Sequence, residues 1–299
     1  MEDYSTYLHS QYQADLEICK QYLFEYGSNY AAATKLFAKR QREATTIFYA
    51  FVRYPDELVD NPDQQHPGQT HRSLQEFITE WSDVVEQGPV SNTHPIIRAA
   101  YYFFKHYEIP FDYPKDFLNA MHQDLSKERY HSYKELVGYM WGSASTVGHA
   151  MTYVLAYKNK RAFEHAQALA EAMQLANFLR DIDEDYQERG RIYLPQQDMM
   201  VFGVDEDMIA RQEMTDELRN LVKHYVERAD GLFRKGNKGI KLLRSGQFQV
   251  YFASVRYRHY LSIIKSRNYD VFSSKIRLGL WNKVFVFLYA VISFPFTVR

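Results

Sequence analysis

Apolar residues recur every three to four positions along most of the chain, the spacing that lines side chains up on one face of an α-helix. Leu16, Cys19 and Leu23 form one such stripe, and Gly27-Ser28-Asn29 behind it supplies a stop and a new N-cap. A second helix is predicted through Phe48, Phe51 and Val52 toward Asp60. Asn61 to Gly68 has turn chemistry and no periodicity, so a loop is expected there. Further helices are predicted over Ser73–Glu86, Pro95–Tyr107, Pro114–Ser126 and Tyr133–Tyr157. The longest runs from Arg161 to about Glu188. There Ala166, Leu169, Ala170, Met173, Ala176, Phe178 and Leu179 mark a broad apolar surface without an internal Gly or Pro, which predicts a central helix. Arg191-Ile192-Tyr193-Leu194-Pro195 is too short and too abruptly ended for a helix and reads as an ordered loop. Helices resume over Asp205–Glu213, Asp216–Arg234, Phe248–Arg267 and Ile276–Ser293.

Composition supports an all-α reading. The 299 residues include only 13 Gly and 9 Pro, below the ~12% that average usage would give, which leaves little turn chemistry for many short strands. With 46% hydrophobic and 24% charged residues the chain can bury a sizeable core, and no Pro/Gly/Ser-rich linker divides it, so residues 1–299 are expected to form one domain. Its 36 basic and 37 acidic residues exclude a nucleic-acid binder that relies on phosphate neutralisation. One cysteine, Cys19, excludes an intrachain disulfide and fits a reducing compartment. The polar start Met1-Glu2-Asp3-Tyr4-Ser5 leads into no apolar run, so a cytoplasmic location is expected. Aromatics make up 16% of the chain and suit either a filled core or the lining of a large apolar cavity.

The chemistry lies in two acidic clusters. Asp56-Glu57-Leu58-Val59-Asp60 and Asp181-Ile182-Asp183-Glu184-Asp185 each place aspartates at i and i+4, one helical turn apart on one face. Like charges so placed repel by a few tenths of a kcal/mol, so helix stability gives no reason for the spacing, whereas a cation does. Mg²⁺ takes oxygen ligands and binds through one or two carboxylates completed by substrate phosphates. Two such pairs on facing helices would form an acidic mouth for several Mg²⁺ ions and a diphosphate. A solvated helix face is the plainer account of either pair alone. The flanks favour the metal: Arg53 precedes Asp56 and Arg180 precedes Asp181, suited to phosphate oxygens, while Gln174 and Asn177 put amide oxygens on the stripe of Asp181. Ordinary buried, hydrogen-bonded amides would show the same spacing.

These residues resemble a known family. The stretch from Gln174 through Leu175-Ala176-Asn177-Phe178-Leu179-Arg180-Asp181-Ile182-Asp183-Glu184-Asp185, then Arg189-Gly190-Arg191-Ile192-Tyr193-Leu194-Pro195, is similar to the second aspartate signature of the squalene/phytoene synthase family, above all its phytoene synthase branch. Arg53 with Asp56–Asp60 resembles the first signature, Tyr139-Met140-Trp141-Gly142-Ser143-Ala144-Ser145-Thr146-Val147-Gly148 matches the family's tyrosine-to-glycine stretch in spacing, and Tyr269-Asp270-Val271-Phe272 looks like a further element. The matches run from about Tyr26 to Lys283. Departures are Pro55 directly before Asp56, which requires a kink or a fresh helix start, Asn29 for an aromatic, Ser145 for a glycine, and Lys275 for an arginine.

The resemblance implies an isoprenoid synthase-type helical bundle around a central cavity and the head-to-head joining of two prenyl diphosphates. It implies Asp56, Asp60, Asn177, Asp181 and Asp185 as ligands of Mg²⁺ or Mn²⁺, the four aspartates and Tyr139 as catalytic, and Ser28, Tyr30, Arg53, Gln174, Arg180, Arg191 and Tyr193 as the side that meets substrate diphosphate. The expected reaction condenses two geranylgeranyl diphosphates to phytoene through a cyclopropylcarbinyl diphosphate, the first step of carotenoid biosynthesis, without NADPH. The alternatives are squalene or dehydrosqualene synthesis from farnesyl diphosphate, and a noncatalytic relative that keeps only the fold. The apolar run Val284 to Phe294, bounded by Lys283 and Arg299, reads either as a final core helix or as a peripheral membrane contact through which a water-insoluble product leaves.

Overall fold

The computed structural model describes residues 9–26, 34–61 and 73–298. Ser28, Asn29, Tyr30 and the expected loop beyond Asn61 lie outside the described residues. Among the described residues there is no strand, only isolated bridges between Arg129 and Ile192 and between Tyr157 and Leu243, as an all-α chain requires. Two compact units form, one of residues 1–125 with 153–156, the other of 126–152 with 157–299.

The first unit holds α1 (His9–Tyr26), α2 (Lys39–Asp60), α3 (Leu74–Gln87), α4 (Pro95–His106) and α5 (Asp112–Gln123). Its caps are those the residue types favour: the Ser73 side chain accepts from the Glu76 amide at 3.3 Å, and Pro95 opens α4 where its missing N–H is not needed. Aromatic side chains fill this core. Phe51 packs 4.7 Å from Trp81 and 5.4 Å from Phe104 between ring centroids, and Tyr54 lies 5.2 Å from Phe77. A buried ion pair ties α4 to α1, with Arg98 Nε and Nη2 donating to the two Asp15 oxygens at 2.8 and 2.7 Å and Nη1 donating to the Thr93 carbonyl at 2.7 Å. The α2 helix runs through Pro55 to Asp60 with no fresh start.

The second unit contains α6 (Tyr133–Met140), a π-helical turn at Trp141–Ser145, the start of α7 (Thr146–Leu155), α8 (Arg161–Arg180), α9 (Ile182–Arg189), α10 (Gln196–Phe202), α11 (Glu206–Ala210), α12 (Asp216–Asn237), α13 (Gln247–Ser266) and α14 (Leu280–Thr297). Central to it is α8, covered by α12, α13 and the π turn. Its approach to α12 depends on glycine, because a Cβ at Gly236 would stand 2.7 Å from the Leu169 Cβ.

Three expectations are corrected. The predicted continuous helix from Arg161 to Glu188 breaks at Asp181, whose backbone (φ −108°, ψ 12°) leaves the helical region and separates α8 from α9. The predicted Tyr133–Tyr157 helix is interrupted by the π turn and ends at Leu155. The last helix starts at Leu280 rather than Ile276, and it is no core helix, since only Val286 and Ala290 are buried. The α10 helix was not visible in the periodicity and follows the ordered loop directly.

Candidate active site

In the first unit the last two turns of α2 carry Arg53, Asp56, Glu57 and Asp60. Arg53 sits three and four residues before two carboxylates and ion-pairs with both Asp56 and Glu57. Burial alone would lower the Arg53 pKa, but Asp56 and Glu57 outweigh it and hold the guanidinium above its ordinary value. Glu57 is fully buried and accepts from Asn61 Nδ2 at 2.8 Å, so it anchors Arg53 from beneath while Asp56 stays partly exposed. Glu57 was missed in the sequence, though its i+4 spacing from Arg53 is the signal that finds it.

In the second unit Gln174, Asn177 and Asp181 follow one stripe to the end of α8. Arg180 Nε and Nη2 meet the two Asp181 oxygens at 2.7 and 2.5 Å, and the guanidinium lies 4.9 Å from the centroid of the Tyr260 ring. Burial opposes the Arg180 charge, yet the bond to Asp181 raises the pKa above its usual range. Although α8 ends here, the Asp185 amide still donates to the Asp181 carbonyl at 2.8 Å, so the two aspartates stay one turn apart across the break. Asp185 has Arg189 Nη1 at 3.6 Å. Gly190 then takes φ 64°, a left-handed cap that turns the chain out of α9.

The loop so released brings Arg191 and Tyr193 back beside the aspartate helix. Phe178, Ile182, Asp185, Arg191, Tyr193 and Leu194 line one groove. Tyr193 stacks on Phe178 at 4.0 Å and 10°, and Tyr139, nearly fully buried, lies 5.7 Å from Tyr193. Tyr130 completes the aromatic cluster, 5.3 Å from Tyr139 and 5.7 Å from Tyr193. Tyr130 and Phe178 were not picked out in the sequence, where an isolated aromatic reads as core. Lys275 pairs with Glu184, which gives that departure from the family pattern a partner on α9. Ser145 is fully buried in the π turn, and its hydroxyl has no hydrogen-bond partner.

The donor set fits a hard divalent cation. Carboxylate and amide oxygens are the ligands Mg²⁺ prefers, and Asn177 Oδ1 is a buried acceptor left without a hydrogen-bond partner. Among the described residues no group of three or more His, Cys, Asp or Glu could by itself hold an ion. The chemistry therefore suits a metal whose coordination is completed by phosphate oxygens rather than by a protein cage.

Residues 23–282 match the squalene/phytoene synthase family. The chain is 30% identical over 272 residues to 15-cis-phytoene synthase of Synechocystis, covering 87% of this chain and 79% of that one. It is 29% identical over 273 residues to the chloroplastic phytoene synthase of Daucus carota, covering 89% of this chain and 67% of the carrot protein. In three dimensions it is similar to a dehydrosqualene synthase solved with a ligand, at a TM-score of 0.85 and 25% identity over 96% of this chain and 98% of the other. With the fold, both aspartate signatures and a match across most of its length, the chain belongs to the squalene/phytoene synthase family of prenyltransferases.

Proposed function

We propose that the protein joins two geranylgeranyl diphosphates head to head to give phytoene. The observation that carries this reading is the second signature as folded: Arg180 clasping Asp181, Asn177 Oδ1 unpartnered, and Arg191 and Tyr193 returned beside Asp185 in one groove. Asp56, Asp60, Asn177, Asp181 and Asp185 are the oxygen donors that would hold Mg²⁺ or Mn²⁺. The metal supplies Lewis-acid stabilisation of the charge on a departing diphosphate. Arg53, Arg180 and Arg191 offer guanidinium donors to phosphate oxygens, and the family resemblance adds Gln174, Ser28, Tyr30 and Tyr193 as diphosphate-binding residues. The ring faces of Tyr139 and Tyr193 suit an allylic cation, which they stabilise through their quadrupoles.

In this reaction the C–O bond of one substrate breaks, and the alkene of the second attacks the resulting cation. Loss of a proton closes a cyclopropylcarbinyl diphosphate. Departure of the second diphosphate, ring rearrangement and loss of a second proton give a C40 hydrocarbon and two diphosphates, with no reductant. The reading treats both units as one catalytic domain, supported by a family match that spans them. It places the protein at the membrane periphery, with α14 against lipid, a route for a water-insoluble product. The likeness to a dehydrosqualene synthase favours a second reading, in which the substrate is farnesyl diphosphate.

One assay separates these readings. Purified protein with Mg²⁺ and geranylgeranyl diphosphate, without nicotinamide, is expected to form a C40 hydrocarbon seen by mass spectrometry. Asp181→Asn is expected to lower turnover by about 10²–10³-fold, the scale of losing one charge-stabilising group. A C30 product formed preferentially from farnesyl diphosphate moves the assignment to dehydrosqualene, and an NADPH requirement moves it to squalene. Folded protein that consumes neither diphosphate with lipid present overturns the enzyme reading.

A further inference from the structure

We propose that Arg129, held by Glu206, is a positioning residue for the loop that carries Arg191 and Tyr193, an inference that rests on the prenyl synthase reading. Arg129 Nε and Nη2 donate to the two Glu206 oxygens at 2.8 Å each, a bidentate fork. The third nitrogen, Nη1, donates to the Gly190 carbonyl at the root of the loop and to the Glu128 carbonyl at 2.9 Å. The backbone continues the attachment: Ile192 donates to the Glu128 carbonyl at 3.0 Å, Gln196 to that of Tyr130 at 2.9 Å, and Gln197 to that of His131 at 3.1 Å. The loop is thus laid along residues 128–131 as a short parallel bridge. The adjacent side chain, Tyr130, presses its ring on Tyr193 at 21°.

Glu206 is the first residue of α11, and α11 is itself braced to the aspartate helix α9. Gln187 Nε2 donates to the Ala210 carbonyl at 3.3 Å, and Gln212, just past α11, donates to Asp183 Oδ1 at 2.7 Å. One guanidinium therefore fixes three things together: the strip under the loop, the loop's exit from Gly190, and the helix that steadies α9. Arg129 does not line the groove and acts through Tyr193, Arg191 and Asp185, which do.

Magnitudes distinguish positioning from plain stabilisation. The pair is 24% and 43% exposed, so its contribution to stability is small, of the order found for surface pairs. A displacement of about 1 Å at a reacting centre costs about 100-fold in rate. Arg129→Ala is accordingly expected to lower kcat by about 10- to 100-fold with little change in KM and a thermal midpoint near wild type. Arg129→Lys, which keeps the charge but loses the fork, is expected to recover part of the loss.

The experiment uses the full chain with Mg²⁺ and both prenyl diphosphates, together with hydrogen exchange of the protein alone. Faster exchange is expected at the amides of Ile192, Gln196 and Gln197 in Arg129→Ala, with α8 unchanged. A kcat within about twofold of wild type, or unchanged exchange in that segment, overturns the proposal. If Arg129→Ala does not fold, Glu206→Gln carries the same comparison, because it weakens the fork from the more exposed side. If the wild type consumes neither diphosphate, the prenyl reading fails on its own account, and unchanged exchange at residues 192–197 separately overturns the clamp.

Discussion

The helix α8 carries one buried acid, Glu171, and is capped by a half-buried one, Asp181, of opposite design. Asp181 at its end is clasped by Arg180, so its charge is compensated where it stands. Glu171, within the helix, is buried and accepts from Gln167 Nε2 at 2.8 Å. Burial raises its pKa above the ordinary 4.5, only partly offset by the Gln167 bond and the Lys235 charge. A raised folded pKa means the native state holds the proton more tightly than the unfolded chain. Stability is then fully present below the unfolded value of about 4.5 and is lost as pH rises through the folded one, because the charged carboxylate is poorly solvated where it stands. Glu171→Gln keeps an acceptor for Gln167 and removes the charge. Its thermal midpoint is expected to exceed wild type at pH 7 and to match it near pH 4, and an equal or lower midpoint at pH 7 contradicts this account. What was legible at this scale follows chain distance. The aspartate pairs and their arginines announce themselves because partners lie within a turn, whereas Arg129 and Glu206 are 77 residues apart and nothing local in either segment links them.

Helices were legible as types and less so as boundaries, for a physical reason in each case. Ser73, Pro95 and Gly190 act at helix ends through their own chemistry, and the ends they mark agree with the sequence. The break at Asp181 has no such marker, since neither Gly nor Pro intervenes and helical structure resumes at once at Ile182. The π turn at Trp141–Ser145 adds a residue to one turn and barely disturbs the stripe, so the sequence reads through it; such turns are frequent at functional sites. The close contact of α8 with α12 is likewise invisible locally, because Gly236 reads as a weak point in a helix rather than as room for Leu169. Gly236→Ala tests this. Helix propensity alone favours alanine by about 1 kcal/mol, whereas a Cβ placed 2.7 Å from the Leu169 Cβ must push two packed helices apart. Overpacking of this kind costs about 1–3 kcal/mol, so the variant is expected to melt below wild type, with a rise in melting temperature showing that α8 and α12 adjust freely.

At the scale of the whole molecule, the most exposed apolar element is α14, and its composition left two readings open because a core helix and a lipid-facing helix share the same residues. The fold removes the core reading, since only Val286 and Ala290 are buried. Phe248 and Phe252 of α13 meet Phe294 and Phe287 at 5.4 and 5.7 Å, and Tyr251 hydrogen-bonds Ser293 at 2.9 Å, so one side of α14 is fixed to the protein. Most of the large apolar side chains exposed among the described residues lie on its other sides, with Trp281, Ile292 and Phe296 at 83, 68 and 78%. Eighteen residues rise about 27 Å, near the ~30 Å of a hydrocarbon core. A helix tied along one side to a globular unit cannot be surrounded by lipid, so the membrane contact proposed above would be in-plane rather than a span. Charge suits such a contact: after Asp270 the chain carries, besides Lys275 paired with Glu184, the cations Arg277, Lys283 and Arg299 and no acid, which favours an anionic surface. Trp281 is a built-in reporter, since Trp81 is buried and Trp141 half-buried. Its emission is expected to shift blue when anionic vesicles are added, and to shift less with neutral vesicles or in high salt. Replacing Ile292 and Phe296 with Glu removes two anchors worth about 1.5–3 kcal/mol each, which weakens cosedimentation by about 100-fold or more. Both positions face away from α13, so folding should be preserved, and vesicle binding that survives the double substitution with Trp281 emission unmoved would remove α14 from the membrane.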